Sequence, residues 1–170
     1  VIITRATEYA IRAVLFMAAK PREEIVLKKD ICREQDITPA FLTKVLQPLI
    51  KEGIVGSHRG VGGGFFLAKN PTDITLLDVI RAEEGPIYLN LCLADKTSCE
   101  RESTCPVNRV WQKARAGLVD VLGSYSFAQL LEMEPSRENS GASETGKTGH
   151  FSHGPHGSAT GLDSRPGRND

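Results

Sequence analysis

The sequence predicts a mainly α-helical chain carrying one small β-hairpin. Apolar side chains recur at helical spacing in several separate segments, each bounded by recognisable start and stop residues. A glycine-dense stretch, Gly60-Val61-Gly62-Gly63-Gly64, sits between two short runs that read as strands. With 170 residues, 40% of them apolar and 25% charged, the chain has enough apolar surface for a single packed core.

The elements follow in order. Thr4 caps a first helix in which Tyr9, Ala13, Val14 and Met17 repeat at helical spacing until Lys20-Pro21 ends it. Ile25-Val26-Leu27, two of them β-branched, is too short for a helix of its own or else leads into one, and residues 28–34 read as a short helix. Asp36-Ile37-Thr38-Pro39 is a turn followed by a strong start, with Thr38 as cap and Pro39 at the first helical position. That helix places Phe41, Leu42, Val45, Leu46 and Leu49 inward and stops at Gly53. Residues 54–59 form one strand and Phe65-Phe66-Leu67 the other. Thr75 opens a further helix with Asp78 placed to complete a capping box. A long helix begins at Pro106, with Val107, Val110, Trp111, Ala114, Leu118, Val121 and Leu122 as one apolar stripe, and a short helix covers 126–133. Helix, short helix, turn, helix, hairpin is the order of a winged helix-turn-helix, a layout that offers one helix to a DNA major groove and a hairpin to the flanking backbone or minor groove.

Charge is balanced overall, at 21 Lys+Arg and 21 Asp+Glu, but unevenly placed: residues 1–81 hold 12 basic against 9 acidic side chains and residues 82–135 hold 5 against 8. This permits nucleic-acid contact by the first segment without requiring it. No apolar run approaches the roughly 18–20 residues that span a bilayer, and no secretory leader is visible, so a cytoplasmic protein without membrane contact is expected. Residues 136–170 hold seven of the 16 glycines and only Phe151 and Leu162 as large apolar side chains. Such a tract cannot offset the entropy of ordering it and reads as a disordered tail, in which His150, His153 and His156 carry no assigned role.

Candidate DNA contacts are Thr38, Ala40, Thr43 and Lys44, the small, polar or basic residues on the outer side of the second helix of the motif. Alternatively, they are an ordinary solvated face. Ser57, His58 and Arg59 precede the glycines, and an arginine at a glycine-rich tip suits a narrow minor groove. A nucleotide-phosphate loop is excluded because no Lys-Ser/Thr follows the glycines and strands flank them on both sides. No catalytic constellation is present: His58 is the one histidine outside the tail.

Three of the four cysteines, Cys92, Cys99 and Cys105, cluster with the spacing Cys-x6-Cys-x5-Cys. Structural zinc sites use pairs two to four residues apart, whereas these wider gaps suit a loop wrapped around a larger object such as an iron–sulfur cluster. The spacing alone leaves zinc and three unligated thiols open. Cys105 precedes the long helix, whose positive end favours the thiolate that metal binding requires. Cys32 reads as a core residue.

These residues together resemble the IscR/NsrR-type winged-helix regulators, the Rrf-two family of bacterial regulators, many of which carry an iron–sulfur cluster. The likeness rests on residues 4–13, 37–42, the stretch Arg59-Gly60-Val61-Gly62-Gly63-Gly64-Phe65-Phe66-Leu67-Ala68, residues 74–80, Glu84-Gly85-Pro86, the three cysteines and the helix with Trp111. It covers about 1–135. The resemblance implies a winged helix-turn-helix DNA-binding domain over 1–86, a cluster-binding cysteine loop over 87–105 and, over 106–135, a dimerisation helix with a short terminal helix. It implies a homodimer on a double-stranded DNA operator, with Thr38, Ala40, Thr43, Lys44 and Arg59 as contacts.

The resemblance also maps the cluster ligands onto Cys92, Cys99 and Cys105, with a 2Fe–2S cluster expected ahead of a 4Fe–4S one. In one branch of the family a histidine three residues after the last cysteine is the fourth ligand; this chain has Asn108 there, a poor iron ligand. In other relatives a first-helix carboxylate from the partner subunit takes that place, and the matching residue is Glu8. The implied function is a dimeric transcriptional regulator whose operator binding follows the state of its cluster, as a sensor of redox state, nitric oxide or iron–sulfur supply. A cluster-free regulator answering to a metabolite or partner protein, and a redox enzyme subunit, are the alternatives.

Overall fold

The computed structural model describes residues 3–60, 62–95 and 104–133; Cys99, Val61 and the tail from 134 onward lie outside the described residues. Helix α1 (Arg5–Ala18) starts where the Thr4 side chain accepts from the Thr7 N–H, and it buries Thr7, Ala10, Ala13, Val14, Met17 and Ala18 along one face. Strand β1 (Val26–Leu27) runs directly into α2 (Lys28–Gln35), which ends at Asp36 in the left-handed region. Helix α3 (Pro39–Lys51) is capped by the Thr38 hydroxyl, which accepts from the Phe41 N–H at 3.3 Å. It ends in a Schellman turn: Ile54 N–H donates to Leu49 C=O at 2.9 Å and Gly53 N–H to Ile50 C=O at 3.1 Å, with Gly53 at φ +66°.

Strands β2 (Val55–His58) and β3 (Gly64–Leu67) form the hairpin. The sheet has a third member, which the two-stranded expectation did not include: β1 pairs with β3, so the antiparallel order is β1-β3-β2. Val26 lies opposite Phe65 and Leu27 opposite Gly64. Two residues are too few to give a readable alternation, and the pairing exists because Gly64 lacks a side chain: a Cβ there would lie 2.1 Å from the Val26 carbonyl oxygen.

A 3-10 turn (Pro71–Asp73) leads into α4 (Leu76–Glu84), which carries the expected capping box: Thr75 N–H donates to Asp78 Oδ2 at 2.8 Å and Asp78 N–H to Thr75 Oγ1 at 3.2 Å. Then come α5 (Leu91–Ala94), α6 (Pro106–Ser124) and α7 (Phe127–Met133). The main core unites α1, α2, α3, the sheet and α7, with Ile31, Leu42, Leu46, Leu49, Ile74 and Phe127 fully enclosed. A smaller cluster of Leu77, Ile80 and Ile87 takes Leu118, Val119 and Leu122 of α6.

The α6 stripe therefore divides. Leu118 and Leu122 face α4, whereas Val107, Val110, Trp111 and Val121 are exposed on the single chain. Helical spacing alone groups all of them on one side; in the structure α6 meets α4 through Leu118 and Leu122, which leaves Val107, Val110 and Trp111 of its first half, and Val121 of its second, outside that contact. Among the described residues no helix is long and apolar enough to cross a membrane.

Candidate DNA-reading surface and thiol site

Two surfaces gather the residues singled out by sequence. The first is the seam between α3 and the wing. Thr43, Ser57, His58 and Arg59 line one groove of about 390 Å³, together with Lys28, Gln47 and Gly63. A neighbouring groove of about 430 Å³ is lined by Lys28, Lys29, Pro39, Gly60 and Gly62. Thr38, Ala40 and Lys44 are exposed on α3 but do not line these grooves. The Thr38 hydroxyl is occupied as the helix cap, and the Thr43 hydroxyl donates to Pro39 C=O at 2.8 Å.

The local chain dictates this shape. Gly60 (φ +107°) and Gly62 (φ +79°) make a turn that residues with side chains rarely adopt, so the wing tip is narrow and its backbone open to approach. Helix α3 and the wing are fixed relative to one another through Leu42, Val45 and Phe65 in the shared core. Lys28, Lys29 and Gln47 were not among the sequence candidates. The two lysines did carry a signal: basic residues in the first turn of a helix oppose its dipole, so such a pair calls for a reason other than helix stability.

The second surface surrounds the start of α6. Cys105 occupies the cap position of α6, but its side chain makes no capping hydrogen bond, so its sulfur is not spent on the helix. Cys92, on α5, reaches the first turn of the same helix: Asn108 Nδ2 donates to Cys92 Sγ at 3.5 Å, and the Cys92 thiol donates to Asn90 Oδ1 at 3.4 Å. Both cysteines are half-buried. Arg115 anchors the approach to α5, donating to the Ile87 carbonyl at 2.6 Å with its guanidinium 5.1 Å from the Tyr88 ring. Two cysteines separated by 12 residues of chain thus both border the first turn of α6.

Glu8 stands on the exposed side of the first turn of α1, and its carboxylate has no hydrogen-bond partner among the described residues. Among the described residues no three metal-ligating side chains converge, so Glu8, Cys92 and Cys105 form no such group within the single chain. The donor chemistry nonetheless fits an iron centre: two soft sulfurs border the first turn of one helix, and the bonds Cys92 makes there are only N–H···S and S–H···O contacts. Asn108, Gln112 and Arg115 were missed as site residues because nothing in their spacing distinguishes a buried polar residue from a solvated one. Cys32 packs against the core, and burial pushes its thiol up, as a structural cysteine requires.

Known proteins bear the same layout. The HTH-type transcriptional regulator NsrR of Bacillus licheniformis is 34% identical over 130 residues, which is 76% of this chain and 91% of that protein. Protein aau3 of Rhizobium meliloti is 31% identical over 134 residues, 78% of this chain and 86% of the relative. Among solved structures, the global cysteine regulator CymR of B. subtilis superposes with a TM-score of 0.66 at 27% identity, covering 79% of this chain and 99% of that one. The T. potens IscR structure gives 0.61 at 27% identity, covering 78% and 87%. Residues 3–133 match the model of the iron-dependent transcriptional regulators termed Rrf2. With the winged helix, the glycine-tipped wing and the long α6 all in place, the chain belongs to the Rrf2 family of transcriptional regulators.

Proposed function

We propose that this regulator works as a homodimer on a double-stranded DNA operator, with its affinity set by an iron–sulfur cluster. Cys92, Cys99 and Cys105 of one subunit and Glu8 of the partner subunit are the ligands. The observation that carries this reading is that Cys92 and Cys105, which flank Cys99 in the sequence, both border the first turn of α6. The iron dependence named for the family supports it. A 2Fe–2S cluster is the expected type. Bound there, a cluster supplies a redox-active, nitric-oxide-reactive centre. The chain's own residues do the rest. Cys105 fixes the start of α6, Cys92 holds α5 against it, and Glu8 links α1 of the other subunit to the same point.

The route from that point to DNA is short. Leu118 and Leu122 of α6 pack on Leu77 and Ile80 of α4, and Val79 of α4 shares the main core with Leu42, Val45 and Leu46 of the recognition helix. A shift of α6 therefore displaces two recognition helices whose separation must match two half-sites. The exposed Val107, Val110, Trp111 and Val121 supply the apolar surface for subunit pairing. Thr38, Ala40, Thr43 and Lys44 meet the major groove, and Ser57, His58 and Arg59 meet the flanking backbone and minor groove. The redox-subunit alternative falls with membership of a regulator family.

The test is anaerobic purification with iron and sulfide analysis, absorbance spectroscopy, and a mobility-shift assay on the protein's own promoter. Coloured protein containing iron and sulfide is expected, with the colour lost in Cys92→Ser, Cys99→Ser and Cys105→Ser and the cluster shorter-lived in Glu8→Ala. Colourless protein that binds its promoter equally well with all three thiols replaced would overturn the proposal. That result would favour the second reading, a cluster-free regulator answering to a metabolite or partner protein, which the likeness to the cysteine regulator CymR supports.

A further inference from the structure

Asn108 is the one side chain of α6 that is almost fully enclosed, at 3% exposure, and it is polar. Burying an amide without partners is costly, and both ends of this one are partnered. Its Oδ1 accepts from Gln112 Nε2, one turn further along α6, and its Nδ2 donates to Cys92 Sγ at 3.5 Å. With its carbonyl taken by Gln112, the amide has one orientation left, and its N–H points at the sulfur.

Cys92 has a second neighbour. Its thiol donates to Asn90 Oδ1 at 3.4 Å. A thiolate, the form that ligates metal, has no proton to give, so the bond to Asn90 is lost on ligation while the bond from Asn108 is kept and strengthened by the charge on sulfur. The two asparagines thus differ in what they can hold: Asn90 partners only the thiol, whereas Asn108 can partner sulfur in either state.

We infer that Asn108 is a positioning residue of the cluster site, a fixed N–H···S donor that holds Cys92 in ligating geometry and raises the reduction potential of the centre bound there. Hydrogen bonds to ligating sulfur withdraw electron density and stabilise the more negative, reduced state. Gln112 is the residue that orients the donor. The position is thereby given a role other than ligation, for which an amide is poorly suited. The inference rests on the cluster reading above.

The experiment uses the full chain reconstituted without air from iron and sulfide, as wild type, Asn108→Leu and Gln112→Leu. It reads iron and sulfide content, reduction potential, and the shift of the Fe–S stretching bands on transfer to deuterium oxide. Expected are a loaded cluster in all three proteins, a more negative potential in Asn108→Leu, a smaller shift the same way in Gln112→Leu, and loss of the deuterium effect in Asn108→Leu. Loaded variants with unchanged potential and unchanged deuterium effect overturn this inference and leave the cluster reading standing. Wild-type protein without iron and sulfide overturns both. A loaded wild type with no cluster in either variant also overturns it, because Asn108 would then be needed for holding the metal or the fold.

Discussion

The Thr4 hydroxyl donates to the Glu84 carboxylate at 2.6 Å, a bond that joins the start of α1 to the end of α4 across 80 residues of chain. The Thr4 N–H adds a second bond at 3.1 Å, and the hydroxyl of the fully buried Thr7 donates to the same oxygen. The hydroxyls of Thr4 and Thr7 hold the Glu84 carboxyl below the usual carboxylate range. Because the folded value is depressed, the stabilisation is present above the ordinary carboxylate pKa and lost as pH falls through the depressed one. Glu84→Ala is expected to cost about 1–2 kcal/mol by leaving the Thr7 hydroxyl poorly satisfied. Thermal unfolding should show Glu84→Ala below wild type at pH 7, with the gap narrowing below about pH 4. A gap that persists undiminished in acid counts against the carboxylate's role.

The same junction shows why some of the molecule was legible in sequence and some was not. Caps and stops are local chemistry, so Thr4, Thr38-Pro39, Gly53 and the Thr75/Asp78 pair mark their helix ends before any fold is known. The wing is legible because its glycines have no other use in that number. Long-range polar bonds leave no such trace: the Glu84 link to α1, the Arg115 link to Ile87 and the Asn108 contact with Cys92 all join residues whose spacing carries no period. Strand β1 was equally hidden, since a two-residue strand is defined by its partner and not by itself. The cysteines mark a candidate site by their clustering, but the contacts of Cys92 with Asn90 and Asn108 are visible only after folding.

Glu83 makes the opposite prediction from its neighbour. Its Oε1 is buried without a hydrogen-bond partner among the described residues, and burial, aided by the charge of Glu84, pushes its carboxyl up to about 7. The raised value means the fold favours the protonated form: the stabilisation is complete below the ordinary value near 4.5 and is lost as pH rises through about 7. Glu83→Gln removes this dependence. Urea unfolding from pH 5 to 8 should find the variant flat where wild type declines, and more stable at pH 8 by roughly 1–2 kcal/mol after allowing for partial solvent access. Parallel pH profiles for the two proteins would contradict the assignment.

Phe127 ties the end of the described chain into the DNA-reading core. It is fully enclosed, its N–H donates to Ile74 C=O at 2.9 Å, and Leu76 N–H donates to Tyr125 C=O at 3.0 Å beside it. Removing the ring leaves a cavity among residues that also hold α1 and α3. Phe127→Ala is expected to destabilise by about 3–5 kcal/mol, whereas Met133→Ala on the exposed end of α7 should stay within about 0.5 kcal/mol. Chemical denaturation of both variants checks this, and similar midpoints would mean that α7 is not part of the cooperative core.

Lys28 offers the sharpest separation between holding DNA and reading it. It lines both grooves at the seam of α3 and the wing, next to the narrow tip made by Gly60 and Gly62. A lysine at the first position of α2 gains nothing from the helix dipole, so replacing it should not lower stability. A phosphate contact contributes equally to every sequence. Lys28→Ala is therefore expected to weaken operator and unrelated DNA by the same factor and to reduce the slope of log affinity against log salt by about 1. Arg59→Ala differs in kind: at the wing tip its loss should be felt more on sites whose flanks have a narrow, A·T-rich minor groove. Titrations of both variants across a range of salt, on two flanking sequences, distinguish the roles. An unchanged salt slope in Lys28→Ala would place the phosphate backbone elsewhere, and equal losses on both flanks in Arg59→Ala would reduce the wing arginine to one more phosphate contact.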